Sequence, residues 1–318
     1  MKFKGIDLKD GVIEIENKFD FLNLKEFHFE WIIKSDGKTI HKSEISIIDL
    51  QPHLTKIIFL DLPEIIPQRN TEYFLIMKML PKNGNHFLPD DHIIAWEQFR
   101  LPIYKNGITR NIESLPRIQL KETDSILEVF GNDFNLLFNK KSGYLTSFLF
   151  EGKELINKGP RLNLWRAPTD NDLGNGMPGR CSMWKNIASE AILKNIDIRN
   201  INDFAFRINT TYWHENSNST FNIAYLVSGD AALKIDAAFS TEGIELPELP
   251  RFGIQLILPS EFDSLQWLGR GPHESYWDRK TSASIDLYAG TVWEQYHPYV
   301  RPQENGNKTD VRWMGIVQ

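Results

Sequence analysis

The chain has 318 residues, 41% of them hydrophobic and 25% charged, the composition of an ordinary globular protein long enough for two domains. Its formal net charge of -6 offers no basic face for neutralising phosphates and argues against a nucleic-acid partner. Cys181, the only cysteine, excludes an intramolecular disulfide and a cysteine-rich zinc site.

At the start, MKFKGIDLKD lacks the apolar core of a secretory signal, and no later run is apolar for the length of a membrane span. The first hundred residues then alternate. In EFHFEWIIK, Phe27, Phe29, Trp31 and Ile33 share one face, while His28, Glu30 and Lys34 fall on the other with Ile32. A period of two predicts a strand with one buried side. SDGK, residues 35–38, follows it with an Asp-Gly hairpin signal. TKIIFLDL, TEYFLIMKML and HIIAWEQFRL are further strands, with a turn at KNGN before the last. Strands at this spacing predict an immunoglobulin-like β-sandwich over residues 1–104.

Residues 105–122 are mixed and polar and are read as a linker. From 123 to 318 a second β-rich domain is expected. SILEVFG, DFNLLFN, YLTSFLF, DFAFRINTTYW, TFNIAYLV, ALKIDAAF and RFGIQLILP all have the look of strands, with turns at KKSG and EGKE. Only residues 179–192 look helical. The βα alternation of a parallel sheet or barrel is missing. VRWMGIVQ alternates and then stops, so the expectation is a domain incomplete at its C-terminus, with an exposed sheet edge.

Several stretches invite a chemical reading. LWRAPTDNDLGN, residues 164–175, offers Asp170, Asn171 and Asp172 as hard oxygen donors for a cation. An EF-hand loop starting at Asp170 fails, because its sixth and twelfth positions are Asn175 and Cys181. GNGMPG matches the dinucleotide glycine pattern, but Pro178 and the acidic flank exclude it. What remains is a tight loop. Arg166 can pair with Asp170 or Asp172, Pro168 stiffens the turn, and the Asx side chains bind the backbone.

LGRGPHESYWDRKTSASIDLY, residues 268–288, crowds His273, Glu274, Tyr276, Trp277, Asp278 and Arg279 into a loop. It reads either as a sugar pocket with aromatic walls or as an interface loop in which Asp278 and Arg279 satisfy each other. YHPYVRPQENG, residues 296–306, places Glu304 and Asn305 after two prolines, with Trp293, Tyr296 and Tyr299 as stacking surfaces. Seven of the nine tryptophans lie beyond residue 160, which points to a concave or interface role for the second domain. NHFLPDDHII offers His86, Asp90, Asp91 and His92 as a loop that could hold a metal. Asn209, Asn218 and Asn307 open glycosylation-type triplets that chance explains.

RAPTDND, GRGPHESYWDR and YVRPQENG, in that order, resemble the C-terminal region of large β-galactosidases of glycoside hydrolase family 2. NKFDFLNLKEFHFEWIIKSDGK and HIIAWEQFRLP resemble the immunoglobulin-like domain that precedes that region. The resemblance covers nearly the whole chain. It implies an all-β protein: an immunoglobulin-like sandwich followed by a large antiparallel β-supersandwich similar to galactose mutarotases. It also implies that the two catalytic glutamates lie on an upstream (β/α)₈ barrel, so no catalytic residue carries over to this chain.

Arg166, Asp170, Asn171, Asp172, His273, Glu274, Tyr276, Asp278, Arg279, Tyr299, Glu304 and Asn305 are then candidates for facing the substrate or the barrel. The metal expectation is none, with Asp170 and Asp172 as weak candidates. No cofactor is expected in this chain; the family's Mg or Na ions bind outside the matched motifs. Expected partners are the barrel and N-terminal domains, a galactoside in the intact enzyme, and further copies in a homo-oligomer, with no nucleic acid and no membrane. The residues do not assign a compartment; the resemblance implies a cytoplasmic or periplasmic parent. The mutarotase likeness leaves open a sugar-binding module, or ring opening with His273 and Glu274 as base and acid. A purely structural module also stays open.

Overall fold

The computed structural model describes residues 1–82, 88–107, 111–243 and 245–318. The KNGN turn after Lys82 and the candidate His86 lie outside the described residues. By contacts the chain forms two compact units. The first comprises residues 1–109, 265–291 and 306–315; the second comprises 110–264, 292–305 and 316–318.

The first unit is built on β1 (Lys2–Asp7), β2 (Val12–Glu16), β3 (Phe27–Ser35), β4 (Lys38–Ile45), β5 (Thr55–Phe59), β6 (Tyr73–Pro81) and β7 (Ala95–Arg100). A three-stranded sheet in the order β1-β2-β5 and a four-stranded sheet in the order β4-β3-β6-β7 share one core. Phe3, Ile13 and Ile15 from one sheet meet Phe29, Trp31, Ile33, Leu75 and Met77 from the other. This is the sandwich that the alternation predicts. At the β3–β4 hairpin, Asp36 (φ 43°) and Gly37 (φ 83°) both take the left-handed conformation that a two-residue turn demands.

The expectation of one buried and one wet face fails for these strands. Phe74 and Ile76, on the opposite side of β6 from Leu75 and Met77, are buried as well. Glu30, placed among the outer polar residues of β3, is also buried, between Lys42 at 2.7 Å and Lys78 at 3.6 Å. The cover comes from far along the chain. Gln98 exchanges two hydrogen bonds of 2.8 Å with the backbone of Ile285, and Lys34 pairs with Asp286.

The second unit contains β8 (Gln119–Glu122), β9 (Ile126–Phe130), β10 (Phe134–Asn139), β11 (Leu145–Phe150) and β12 (Lys153–Glu154), which form an antiparallel five-stranded sheet. β13 (Lys158–Asn163) pairs with β18 (Gly253–Ile257). Between them come β14 (Ile192–Asn202), β15 (Ala205–His214), β16 (Ser219–Ser228) and β17 (Leu233–Thr241), a four-stranded meander. Leu127, Val129, Leu136 and Phe138 of the five-stranded sheet share a core with Ile208, Tyr212, Phe221 and Tyr225 of the meander. The all-β architecture therefore holds.

β14 is absent from the sequence-based strands. Its register shifts at Leu193/Asn195 and again at Asn200/Asn202, so irregularities break the period of two on which such a reading depends.

The helical look of residues 179–192 resolves into single turns, α2 (Met177–Arg180) and α3 (Ile187–Glu190), preceded by α1 (Asp170–Gly174). Gly159 on β13 lies hard against β11. A Cβ there would stand 1.8 Å from the Leu145 carbonyl oxygen. Gly159→Ala is therefore expected to destabilise the protein by about 1–3 kcal/mol, measurable as a lowered urea midpoint.

The remaining strands, β19 (Ser264–Gly271), β20 (Ser284–Thr291) and β21 (Trp313–Val317), form a three-stranded sheet in the order β20-β19-β21. Within the stretch 268–288, the loop read from sequence at His273 to Arg279 lies between the end of β19 at Gly271 and the start of β20 at Ser284. Among the described residues no helix is long and apolar enough to cross a membrane.

Candidate functional site

In the second unit the first marker motif folds as a capped turn. Thr169 is the N-cap of α1, and Asp172 sits at the third helical position. The Thr169 hydroxyl accepts from Asp172 N at 3.3 Å, while Asp172 Oδ2 accepts from Thr169 N at 2.8 Å and from Thr169 Oγ1 at 2.9 Å. This reciprocal arrangement satisfies backbone donors that a helix start leaves orphaned.

Of the two aspartates open to Arg166, the structure selects Asp172. The guanidinium bonds both of its carboxylate oxygens, Nη2 donating to Oδ1 at 3.0 Å and Nη1 donating to Oδ2. Burial alone would raise the Asp172 carboxyl. The bonds from Arg166 and Thr169 outweigh that penalty and bring it down to about 2. Asp170 is exposed, 3.6 Å from Arg301, and Asn171 is exposed as well.

The third motif closes onto the first. Glu304 Oε2 accepts from Ala167 N at 3.2 Å, and Oε1 pairs with Arg251. Gln303 Oε1 accepts from Asp170 N at 3.3 Å. Asn305 Oδ1 accepts from His297 N at 3.3 Å, and its amide donates to Gln303 O. Tyr299 packs edge-on against His297, with ring centroids 4.3 Å apart. Trp293 and Tyr296 stack on each other at 5.4 Å, and Trp293 stays 78% exposed. Arg166 Nε also reaches the Pro250 carbonyl at 3.3 Å, so residues 250 and 251 join the same cluster.

In the first unit the second motif makes its own knot. Arg279 pairs with Glu274, where the sequence reading gave it Asp278, and its guanidinium lies over the Tyr276 ring. Glu274 Oε2 also accepts from Gly306 N at 2.9 Å. Ser275, fully buried, bonds Thr309 through its hydroxyl and Asn307 through its backbone. His273 Nε2 lies 3.0 Å from Ser282 Oγ. His273 and Glu274 are thus engaged with different groups. Asp278 is exposed, and Trp277 is 87% exposed with Lys280 over its ring.

The structure brings together most of what the sequence singled out, as two polar knots. Among the described residues no group of three or more His, Cys, Asp and Glu side chains could hold a metal. Of the two aspartates read as weak metal candidates, Asp172 has both oxygens taken by Arg166 and Thr169, and Asp170 lies 3.6 Å from Arg301. Sequence reading missed Arg251 and Arg180. Arg180 reaches into the segment 247–251 to pair with Glu248, and Arg251 reaches out of that segment to Glu304; the segment carries no motif signal.

The family model described as "Beta galactosidase small chain" matches residues 130–318. The chain belongs to that family. A second model, "Beta-galactosidase, domain 4", matches residues 13–102. Among its β-galactosidase relatives, the one from Priestia megaterium is 34% identical over 318 residues, which is 100% of this chain and 30% of the relative. That of Lactobacillus delbrueckii subsp. bulgaricus is 29% identical over 311 residues, covering 97% of this chain and 30% of the relative. That of Clostridium acetobutylicum is 29% identical over 283 residues, covering 88% and 30% respectively. The chain thus spans about 30% of the length of the curated β-galactosidases it matches. The marker motifs at 166–172, 269–279 and 299–306 all fall inside the small-chain match.

Proposed function

We propose that this chain is the non-catalytic C-terminal part of a β-galactosidase that hydrolyses terminal β-D-galactosides with retention. Its role is to support the catalytic barrel and to help close the active site in a homo-oligomeric enzyme. The state of the carboxylates in the marker motifs carries this reading. Retaining hydrolysis needs two carboxyls about 5 Å apart, one of them holding a proton for the leaving group. Asp172 is held ionised by Arg166, and Glu304 is bound by Arg251 and a backbone N–H. Asp172, held ionised, has no proton to give, and Glu304 is spent on fixing a loop backbone. In this reading the knot of Arg166, Asp172 and Glu304 shapes a surface that meets the catalytic part, and any ions of the parent bind outside it.

The purified 318-residue chain, prepared from a host lacking its own β-galactosidase, should release no nitrophenol from a nitrophenyl β-galactoside. Turnover that scales with the amount of chain would sink the proposal.

A further inference from the structure

The first unit carries a cleft of about 400 Å³ that none of the three motifs explains. The size lies within the range of small-molecule sites. An ion network lines it. Glu72 pairs with Arg100, Nε to Oε1 at 3.0 Å, and with Arg312, and Asp36 Oδ1 accepts from Glu72 N at 2.9 Å. Next to these charges stand two aromatic side chains: Tyr104, largely open to solvent at 71%, and Trp313, partly open at 44%.

The polar lining is also held in place. Asn70 sits at φ 57°, a conformation that costs a non-glycine residue energy and that recurs at ligand sites. Gly107 is packed so closely on the Asn70 side chain that a Cβ there would lie 2.2 Å from Asn70 Oδ1. Asn70 N donates to Lys105 O at 3.2 Å, which ties the two lining segments together.

We propose that this cleft binds a neutral pyranose, independently of the surface assigned above to the catalytic part. Fixed planar side chains that alternate donors and acceptors suit neighbouring hydroxyls, which give and take hydrogen bonds at once. The arginines carry more N–H groups than their bonds to Glu72 use, and the oxygens of Asp36, Glu72 and Asn70, though already bonded within the network in part, each have a second lone pair to offer. Tyr104 and Trp313 offer flat apolar faces for the C–H side of a sugar ring. The mixed charge works against the alternatives. The cleft holds three cations, Arg100, Lys105 and Arg312, against Asp36 and Glu72, and Glu72 is paired with both arginines, so only a small net charge is left to hold an ion. The stacked Trp293 and Tyr296 of the other unit also present rings to solvent, and they serve as the control.

The test titrates methyl β-D-galactopyranoside into the 318-residue chain, read by saturation-transfer NMR and calorimetry. The expected result is saturable binding with a Kd of roughly 1–10 mM, weakened by about tenfold or more in Tyr104→Ala and in Trp313→Ala. Trp293→Ala should bind like the parent chain. Tyr104 is exposed enough that its truncation tests binding, not folding, so it decides the matter if Trp313→Ala fails to fold. No saturation by about 100 mM sugar would overturn the proposal. So would binding that survives Tyr104→Ala or is lost in Trp293→Ala.

Discussion

Trp184→Ala should cost about 3–5 kcal/mol, the largest loss of any single truncation around the marker motifs. Trp184 is 1% exposed and packs edge-on against Phe239, with ring centroids 5.9 Å apart. Its indole N–H donates to the Pro247 and Glu248 carbonyls at 3.3 and 3.2 Å. Truncation would empty a ring-sized volume and would also leave two carbonyl oxygens short of a donor. The short helical turns α2 and α3 have too few backbone bonds to stand alone, and their Met177 and Ile187 share one buried cluster with this ring. Hydrogen exchange should show protection lost across residues 177–190 well before the strands of the five-stranded sheet are affected. A variant that melts within a degree of the parent chain would refute this account. Arg180→Ala in the same segment should be nearly silent, because its pair with Glu248 is exposed to water.

Asp172→Ala should destabilise by about 2–3 kcal/mol at neutral pH, and the deficit should itself depend on pH. The carboxyl sits at about 2 in the folded chain, against 3.8 unperturbed. A depressed acid stabilises the folded state only while it is ionised. Its contribution is therefore complete above about pH 5 and fades as pH falls towards 2. Thermal melts of the parent chain and the variant should run well apart at pH 7 and converge in acid. The variant also strips the capping box from α1 and leaves Arg166 without its bidentate acceptor. Asp172→Asn keeps the shape and should recover part of the cap but not the pH dependence. A gap between the melts that stays constant from pH 7 to pH 3 would show that the charge is not what matters.

The sandwich of the first unit was legible because β3 and β6 put Trp31, Ile33, Leu75 and Met77 at every second place. Local periodicity could not show that the other side of β6 is covered too. The covering residues come about two hundred positions later and touch it through Gln98 and Lys34. β14 was hidden for a different reason: two register shifts scramble its alternation. At the marker motifs the residue types were legible and the partners were not. RAPTDND offers Arg166 two aspartates at near-equal reach, and only the Thr169 cap, which needs the third helical position, assigns Asp172 to the pair. Arg251 lies in a segment with no pattern, and nothing in its neighbours predicts that Glu304 waits for it.

The first unit takes its residues from three separate stretches, 1–109, 265–291 and 306–315. During synthesis the first stretch therefore leaves the ribosome without its cover. At ordinary elongation rates it waits on the order of ten seconds or more for the next one. Through that interval Phe74, which finally lies 5.9 Å beneath the Arg312 guanidinium, and Ile76 beside it stay open to any apolar surface that meets them. Codon choice or a chaperone acting between residues 110 and 264 would therefore influence the yield of folded protein more than the same intervention at the end of the chain.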